Sequence, residues 1–165
     1  MTDILIEGGR ALIDSEFVET SLRVAERDID TVGSDAARAS LHIDARGLKV
    51  LPGIVDLHGD AFERQIMPRA GVDFPIDVAL ADSDRQAISN GITTVFHATT
   101  WSWEPGLRSA DNARALLEAI EAMRPQLAAD TRFHLRHETY NLGIGGSSSS
   151  AITKMPIRSD IYRRN

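Results

Sequence analysis

The sequence predicts an α/β chain: a small β-sheet region, then the opening of a parallel β/α alternation of the barrel type. Three observations carry this. Short apolar runs separated by turn residues occupy positions 3–50. Three longer strand-like runs follow at 51–57, 91–96 and 133–137, and two helical apolar periods fill the gaps between them. Strand–helix–strand–helix–strand with buried strands is the pattern of a parallel sheet, whereas turn-punctuated short strands make small antiparallel sheets.

In chain order, Ile4-Leu5-Ile6, Ala11-Leu12-Ile13, the stretch Ser21–Val24, Leu41–Ile43 and Lys49-Val50 read as the strands of region 1–50, with Gly8-Gly9 as a turn. Leu51-Pro52-Gly53-Ile54-Val55-Asp56-Leu57 reads as a strand buried on both faces, and Gly91–Phe96 as a second, rich in β-branched residues. A helix is predicted over 77–90, stopped by Gly91. Another is predicted over 109–128, where Ala113, Leu116, Leu117, Ile120, Met123 and Leu127 recur at helical spacing and Pro125 ends or kinks the run. Three strands and two helices are less than half of an eight-stranded barrel, so region 51–142 corresponds to three β/α units of an incomplete one. Positions 143–165 open with Gly143–Gly146 and Ser147–Ser150, a linker composition, and read as an atypical flexible tail.

Composition narrows the chemistry. With 42% hydrophobic and 25% charged residues the chain has the make-up of a globular domain. A net charge of −6 without a basic cluster argues against nucleic acid as a partner. There is no cysteine, so a metal site must use imidazole and carboxylate. Met1–Gly8 lacks the layout of a signal peptide, and no apolar run approaches the ~20 residues of a membrane span, which predicts a cytoplasmic location and no membrane partner.

Two constellations carry the candidate chemistry. Asp56-x-His58-x-Asp60 sits at the exit of the first run, where alternation puts all three side chains on one side. His58 and Asp60 can grip a divalent cation, with Asp56 orienting His58 from behind; the same pattern also suits a solvated turn. In Phe133-His134-Leu135-Arg136-His137-Glu138, alternation separates Phe133 and Leu135 from His134, Arg136 and Glu138. The polar face suits either a barrel lumen, with Glu138 bridging metals and Arg136 holding an anion, or the wet face of an edge strand. His97, at the expected end of the second strand, is either a supporting site residue or a structural histidine, and His42 receives no role. Glu63, Arg64, Arg69 and Arg108 fall in loops on the catalytic side; Trp101, Trp103 and Pro105 suggest a folded loop. No P-loop, dinucleotide fingerprint or nucleophile elbow is present.

The run Leu51-Pro52-Gly53-Ile54-Val55-Asp56-Leu57-His58-Gly59-Asp60 resembles the first barrel strand of the amidohydrolase superfamily, whose members carry a small β-sandwich region before it. Most members have His-x-His here; Asp60, with Pro68-Arg69-x-x-Val72-Asp73-Phe74-Pro75, Gly91–Val95 and His134–Glu138, resembles the diphosphatase branch of the carbon–phosphorus lyase pathway. The resemblance spans residues 1 to about 142. It implies a TIM-like (β/α)8 metal-dependent hydrolase that uses one or two divalent ions, usually zinc, to release pyrophosphate from a small phosphorylated ribose phosphonate. It further implies His58, Asp60 and Glu138 as metal ligands and Arg64, Arg69 and Arg136 on phosphate oxygens, with Asp56 and His97, by their strand positions, behind the ligands. Family members are longer, and their later strands supply further ligands and the catalytic base. This chain is therefore expected to be truncated and inactive alone, with an open barrel edge that invites self-association. Another amidohydrolase, a deaminase or cyclic-amide hydrolase, and a non-catalytic interaction module are the alternative expectations.

Overall fold

The computed structural model describes residues 3–26, 28–33 and 39–138. The expected tail at 143–165 lies outside them. The chain divides into two compact units, Met1–Gly53 and the portion from Ile54 onward.

The first unit holds strands β1 (Ile4–Ile13), β2 (Glu16–Ala25), β3 (Asp28–Val32), β4 (Leu41–Asp44) and β5 (Lys49–Val50). They form a five-stranded sheet in the order β3-β2-β1-β4, with β5 also paired to β1. The antiparallel expectation holds for β1–β2 and β2–β3, but β4 and β5 run parallel to β1, so the sheet is mixed. Gly8-Gly9 does not turn the chain. The β1–β2 register shifts between Ile6 and Gly9, and Gly8 takes φ 69°, a glycine bulge inside one long strand. The turn comes instead at Asp14 and Ser15, both at positive φ.

The second unit holds β6 (Ile54–Gly59), α1 (Glu63–Ile66), α2 (Ile76–Ser89), β7 (Ile92–Trp101), α3 (Ala110–Met123) and β8 (Asp130–His137). Its three strands are all parallel, in the order β6-β7-β8. Both helices lie close to their predicted positions. Asn90 ends α2 and Gly91 follows at φ 77°, a conformation that costs glycine little. Ser109 caps α3, its Oγ accepting from Asn112 N–H at 3.0 Å, and the 3-10 turn Arg124–Gln126 containing Pro125 takes over after Met123.

The core of this unit gathers Phe62, Ile66, Leu80, Leu116 and Ile120, with Phe133 packed against it. These helix and strand residues cover one face of the sheet, which carries Val95, His97, Thr99 and Trp101, all buried. Asp84 of α2 ties the layers: its two carboxylate oxygens accept from Ala128 N–H at 3.0 Å and Ala129 N–H at 2.9 Å, fixing the chain just before β8.

Two further expectations are corrected. The run entering β6 is not buried on both faces, because β6 is an edge strand of this sheet and the helices pack on one side; Ile54, Val55 and Leu57 are 55%, 54% and 67% exposed. The second strand does not stop near Phe96. β7 continues through the β-branched pair Thr99-Thr100 to Trp101, so His97 is mid-strand and Trp101 is not part of a loop. Trp101 is 2% exposed beneath the Arg114 guanidinium, 4.8 Å from its ring, whereas Trp103 is 72% exposed.

Candidate functional site

Strand alternation would put Asp56, His58 and Asp60 on one side. A bulge prevents this for the first two. Asp56 pairs with Val95 and Gly59 with His97, so three steps on β6 meet two on β7. The extra residue sends Asp56 toward the helices and His58 the other way. Gly59 is needed there, since a Cβ would come within 2.9 Å of Asp56 Oδ2 and 3.0 Å of Val95 Cγ2. Asp56 still serves residue 58, but through the backbone: Oδ1 accepts from His58 N–H at 3.0 Å. It does not stand behind the imidazole.

On the face away from the helices, His58 meets His134. The rings lie edge to face with centroids 5.0 Å apart. His134 is held by the Leu57 carbonyl, 3.0 Å from Nδ1. A carbonyl oxygen only accepts, so Nδ1 donates in this bond and Nε2 is the ring nitrogen left for a metal, an arrangement metal-binding histidines use. Arg136, two residues on, directs Nε and a terminal N–H to Thr100 Oγ1 at 3.1 and 2.6 Å. Register explains the grouping, for His134 pairs with Ala98 and Arg136 with Thr100, on the side of β7 opposite His97.

The other predicted residues are dispersed. Asp60 follows β6 directly, its carbonyl accepting from Glu63 N–H as the chain enters α1, and Glu138 follows β8. Arg64 lines a groove on α1 and α2 with Phe74, Val78 and Arg85. Arg69 pairs with Val72 in an isolated bridge. No hydrogen bond or ion pair among the described residues joins Arg64 or Arg69 to the histidine pair. Arg108 faces Glu104 at 3.5 Å, and His42 pairs with Glu7 at 2.7 Å in the first unit.

His97 occupies the helix side. It is 3% exposed, its ring lies 4.8 Å from that of Phe62, and neither ring nitrogen has a hydrogen-bond partner. Burial pushes its pKa down to about 4, against the pull of Asp56 and Asp84, so the imidazole is neutral near pH 7. His97 therefore does not support His58 directly; the two occupy opposite faces.

The sequence pattern alone does not reveal the role of His134. Alternation put it on a polar face with Arg136 and Glu138, but only the two-sided register of β7 shows that it meets His58. Two imidazoles on one face, their ring centroids 5.0 Å apart, are of the donor type a divalent cation takes as part of a site. Among the described residues, no group of three or more histidine, aspartate or glutamate side chains completes one. No helix among them is long and apolar enough to cross a membrane.

Comparison with known proteins finds hydrolases similar to this chain in fold and in sequence. A triazine hydrolase variant superposes with TM-score 0.58 at 20% identity over 83% of this chain and 36% of its own. A D-hydantoinase gives 0.55 at 24% over 81% and 27%, and the dihydropyrimidinase of Brevibacillus agri NCHU1002 gives 0.57 at 21% over 81% and 27%. These likenesses show the fold. In sequence, the chain is similar to alpha-D-ribose 1-methylphosphonate 5-triphosphate diphosphatase of Escherichia coli K12, 29% identical over 138 residues, 82% of this chain and 36% of the relative. It is also 38% identical over 61 residues to 5-methylthioadenosine/S-adenosylhomocysteine deaminase 2 of Archaeoglobus fulgidus, covering 37% of this chain and 15% of that one. The chain thus spans about a third of the diphosphatase. No protein-family model matches it.

Proposed function

We propose that this chain supplies the first three β/α units of a metal-dependent hydrolase barrel that releases pyrophosphate from α-D-ribose 1-methylphosphonate 5-triphosphate. The observation that carries the reading is the His58–His134 pair at 5.0 Å, beside the C-terminal end of β6 in a chain 29% identical to such a diphosphatase over 82% of its length. Catalytic groups of β/α barrels gather at the C-terminal ends of their strands.

His58 and His134 would hold the ion through imidazole nitrogens, with Asp60 and Glu138 as the carboxylates at the same strand ends. A bound divalent cation, zinc on this reading, supplies Lewis acidity and neutralises charge on a pyrophosphate leaving group. The Leu57 carbonyl takes up Nδ1 of His134 and leaves Nε2 for the ion. Arg136 is parked on Thr100 by a fork of two donors, and the same fork suits phosphate oxygens. Arg64 and Arg69 are the further phosphate candidates.

The test is pyrophosphate release from this substrate by the chain with zinc or manganese added, beside metal content measured by mass spectrometry. The reading expects metal retention that His58→Ala and His134→Ala abolish and His42→Ala leaves intact, and pyrophosphate release only where a second copy or a partner chain completes the site. Equal loss in all three variants, or in none, refutes the site. Ammonia release from an adenosine derivative, with no pyrophosphate, would transfer the chain to the deaminase reading that the 38% match over 61 residues favours.

A further inference from the structure

The second unit contains a cavity of about 150 Å³ that the hydrolase reading does not use. It lies on the helix side of the sheet, lined by Asp56, Phe62, Ser83, Ala87, Val95 and His97 among others. The histidine pair occupies the opposite face. Two of the polar groups that line the cavity are not fully claimed. His97 is 3% exposed, and both its ring nitrogens are buried without a partner. Asp56 commits Oδ1 to the His58 amide, which leaves Oδ2 to the cavity. Asp84 is not available, because Ala128 and Ala129 already occupy its two oxygens.

Buried polar groups are nearly always hydrogen-bonded, and an imidazole with neither nitrogen satisfied costs free energy that a bound partner would recover. The wall offers one carboxylate, a neutral imidazole and the Ser83 hydroxyl, all able to accept from N–H donors. Of the remaining lining, Phe62, Ala87, Ile92 and Val95 are apolar and suit a flat ring, while Gln86 and Asn90 add side-chain amides whose nitrogens already donate to Asp82 and to the Gln86 carbonyl. An apolar cavity of about this volume, ~150 Å³, takes up benzene, so a five-membered ring fits.

From the buried, unpartnered His97 and the Asp56 carboxylate on one small cavity, we propose that it binds a small organic cation with N–H donors, of the azolium or ammonium class. The carboxylate provides the opposite charge, the imidazole takes a second hydrogen bond, and Phe62 and Val95 cover the ring.

The experiment titrates the full chain with imidazolium chloride, at a pH where the probe is protonated, and separately with benzene as a neutral ring of similar size. The His97 ring and the methyl groups of Ala87, Ile92 and Val95 are followed by NMR. Imidazolium should shift them saturably, and at far lower concentration than benzene, which can use only the apolar part of the lining. Asp56→Asn, which keeps an oxygen for the His58 amide, should weaken imidazolium binding about tenfold through loss of a charge-assisted hydrogen bond. His97→Phe should remove it. No saturable shift, an equal response to benzene, or unchanged affinity in Asp56→Asn overturns the proposal; in the first case ordered water is the cavity's occupant. The wild-type titrations and Asp56→Asn decide the matter even if His97→Phe does not fold.

Discussion

Asp84→Ala should be the most damaging single polar substitution in the second unit. Asp84 is 6% exposed, and its two oxygens accept from Ala128 N–H at 3.0 Å and Ala129 N–H at 2.9 Å. Truncation removes both acceptors and leaves two backbone donors unsatisfied, one of them on Ala129, itself 5% exposed. A hydrogen bond to a charged group contributes roughly 1.5–3 kcal/mol. Allowing for solvent reaching Ala128 and for the carboxylate that no longer needs burying, the net loss comes to about 3 kcal/mol. Asn at the same position keeps one oxygen and should lose about half of that. Against a typical domain stability of ~5–15 kcal/mol, the Ala variant is heavily destabilised. Urea unfolding followed by near-ultraviolet dichroism of the buried Trp101 measures it, with the dependence on urea expected to stay constant while the midpoint falls. Asp82→Ala, an exposed position on the same helix, is the control and should stay within about 0.5 kcal/mol. A loss below about 1 kcal/mol in Asp84→Ala, or equal losses at 82 and 84, refutes the claim that this carboxylate anchors the entry to β8.

Further outcomes follow from single contacts. His97 holds its pKa at about 4 in the fold against 6.5 when unfolded, so below pH 6.5 the unfolded chain takes up a proton the native chain refuses. The contribution is intact above pH 6.5 and is lost as pH falls toward 4, up to about 3 kcal/mol. Urea midpoints measured across that window should therefore fall more steeply for wild type than for His97→Phe; parallel curves would exclude a buried neutral imidazole. Ser109→Ala removes the cap of α3 and should cost about 1 kcal/mol in the same assay, with Ser109→Asp restoring most of it; a neutral Ala variant would mean the cap contributes nothing. Leu116→Ala, at a fully buried core position, should cost roughly 2–5 kcal/mol, whereas Leu48→Ala, 59% exposed, should stay near wild type in thermal melts; similar melting shifts for the two would refute the core assignment.

What the sequence disclosed depended on periodicity. The stripe Ala113, Leu116 and Ile120 located α3 and its buried face, and Gly91 marked the end of α2, because helical spacing and a positive-φ glycine are local signals. Strand extents were harder to read. The β7 residues past Phe96 have no alternation to announce them, since Thr99, Thr100 and Trp101 are all buried. Gly8-Gly9 is compatible with a turn or a bulge, and only the pairing of both halves of β1 with β2 decides between them. The candidate site failed to emerge whole for the same reason. The sequence marks both His58 and Asp56, but alternation assumes an unbroken ladder, and the extra residue between Asp56 and Gly59 is visible only against β7.

That one extra residue divides the chemistry of β6 between two environments. His58 is left on the face of His134 and Arg136, while Asp56 joins His97 and the helix-side cavity. The link between the faces is the bond from His58 N–H to Asp56 Oδ1 at 3.0 Å, which acts on backbone position and not on the imidazole. It follows that Asp56→Asn and Asp56→Ala should differ at His58. The amide oxygen of Asn can still accept from His58 N–H, so the ring should stay against His134; Ala removes the acceptor and frees the bulge to relax. Were Asp56 instead oriented on the imidazole itself, the loss of charge in Asn would disturb the His58 ring about as much as truncation does. The His58 and His134 ring resonances of the two variants therefore separate backbone support from direct support: wild-type shifts in Asp56→Asn with displaced ones in Asp56→Ala mark the former, and equal displacement in both marks the latter.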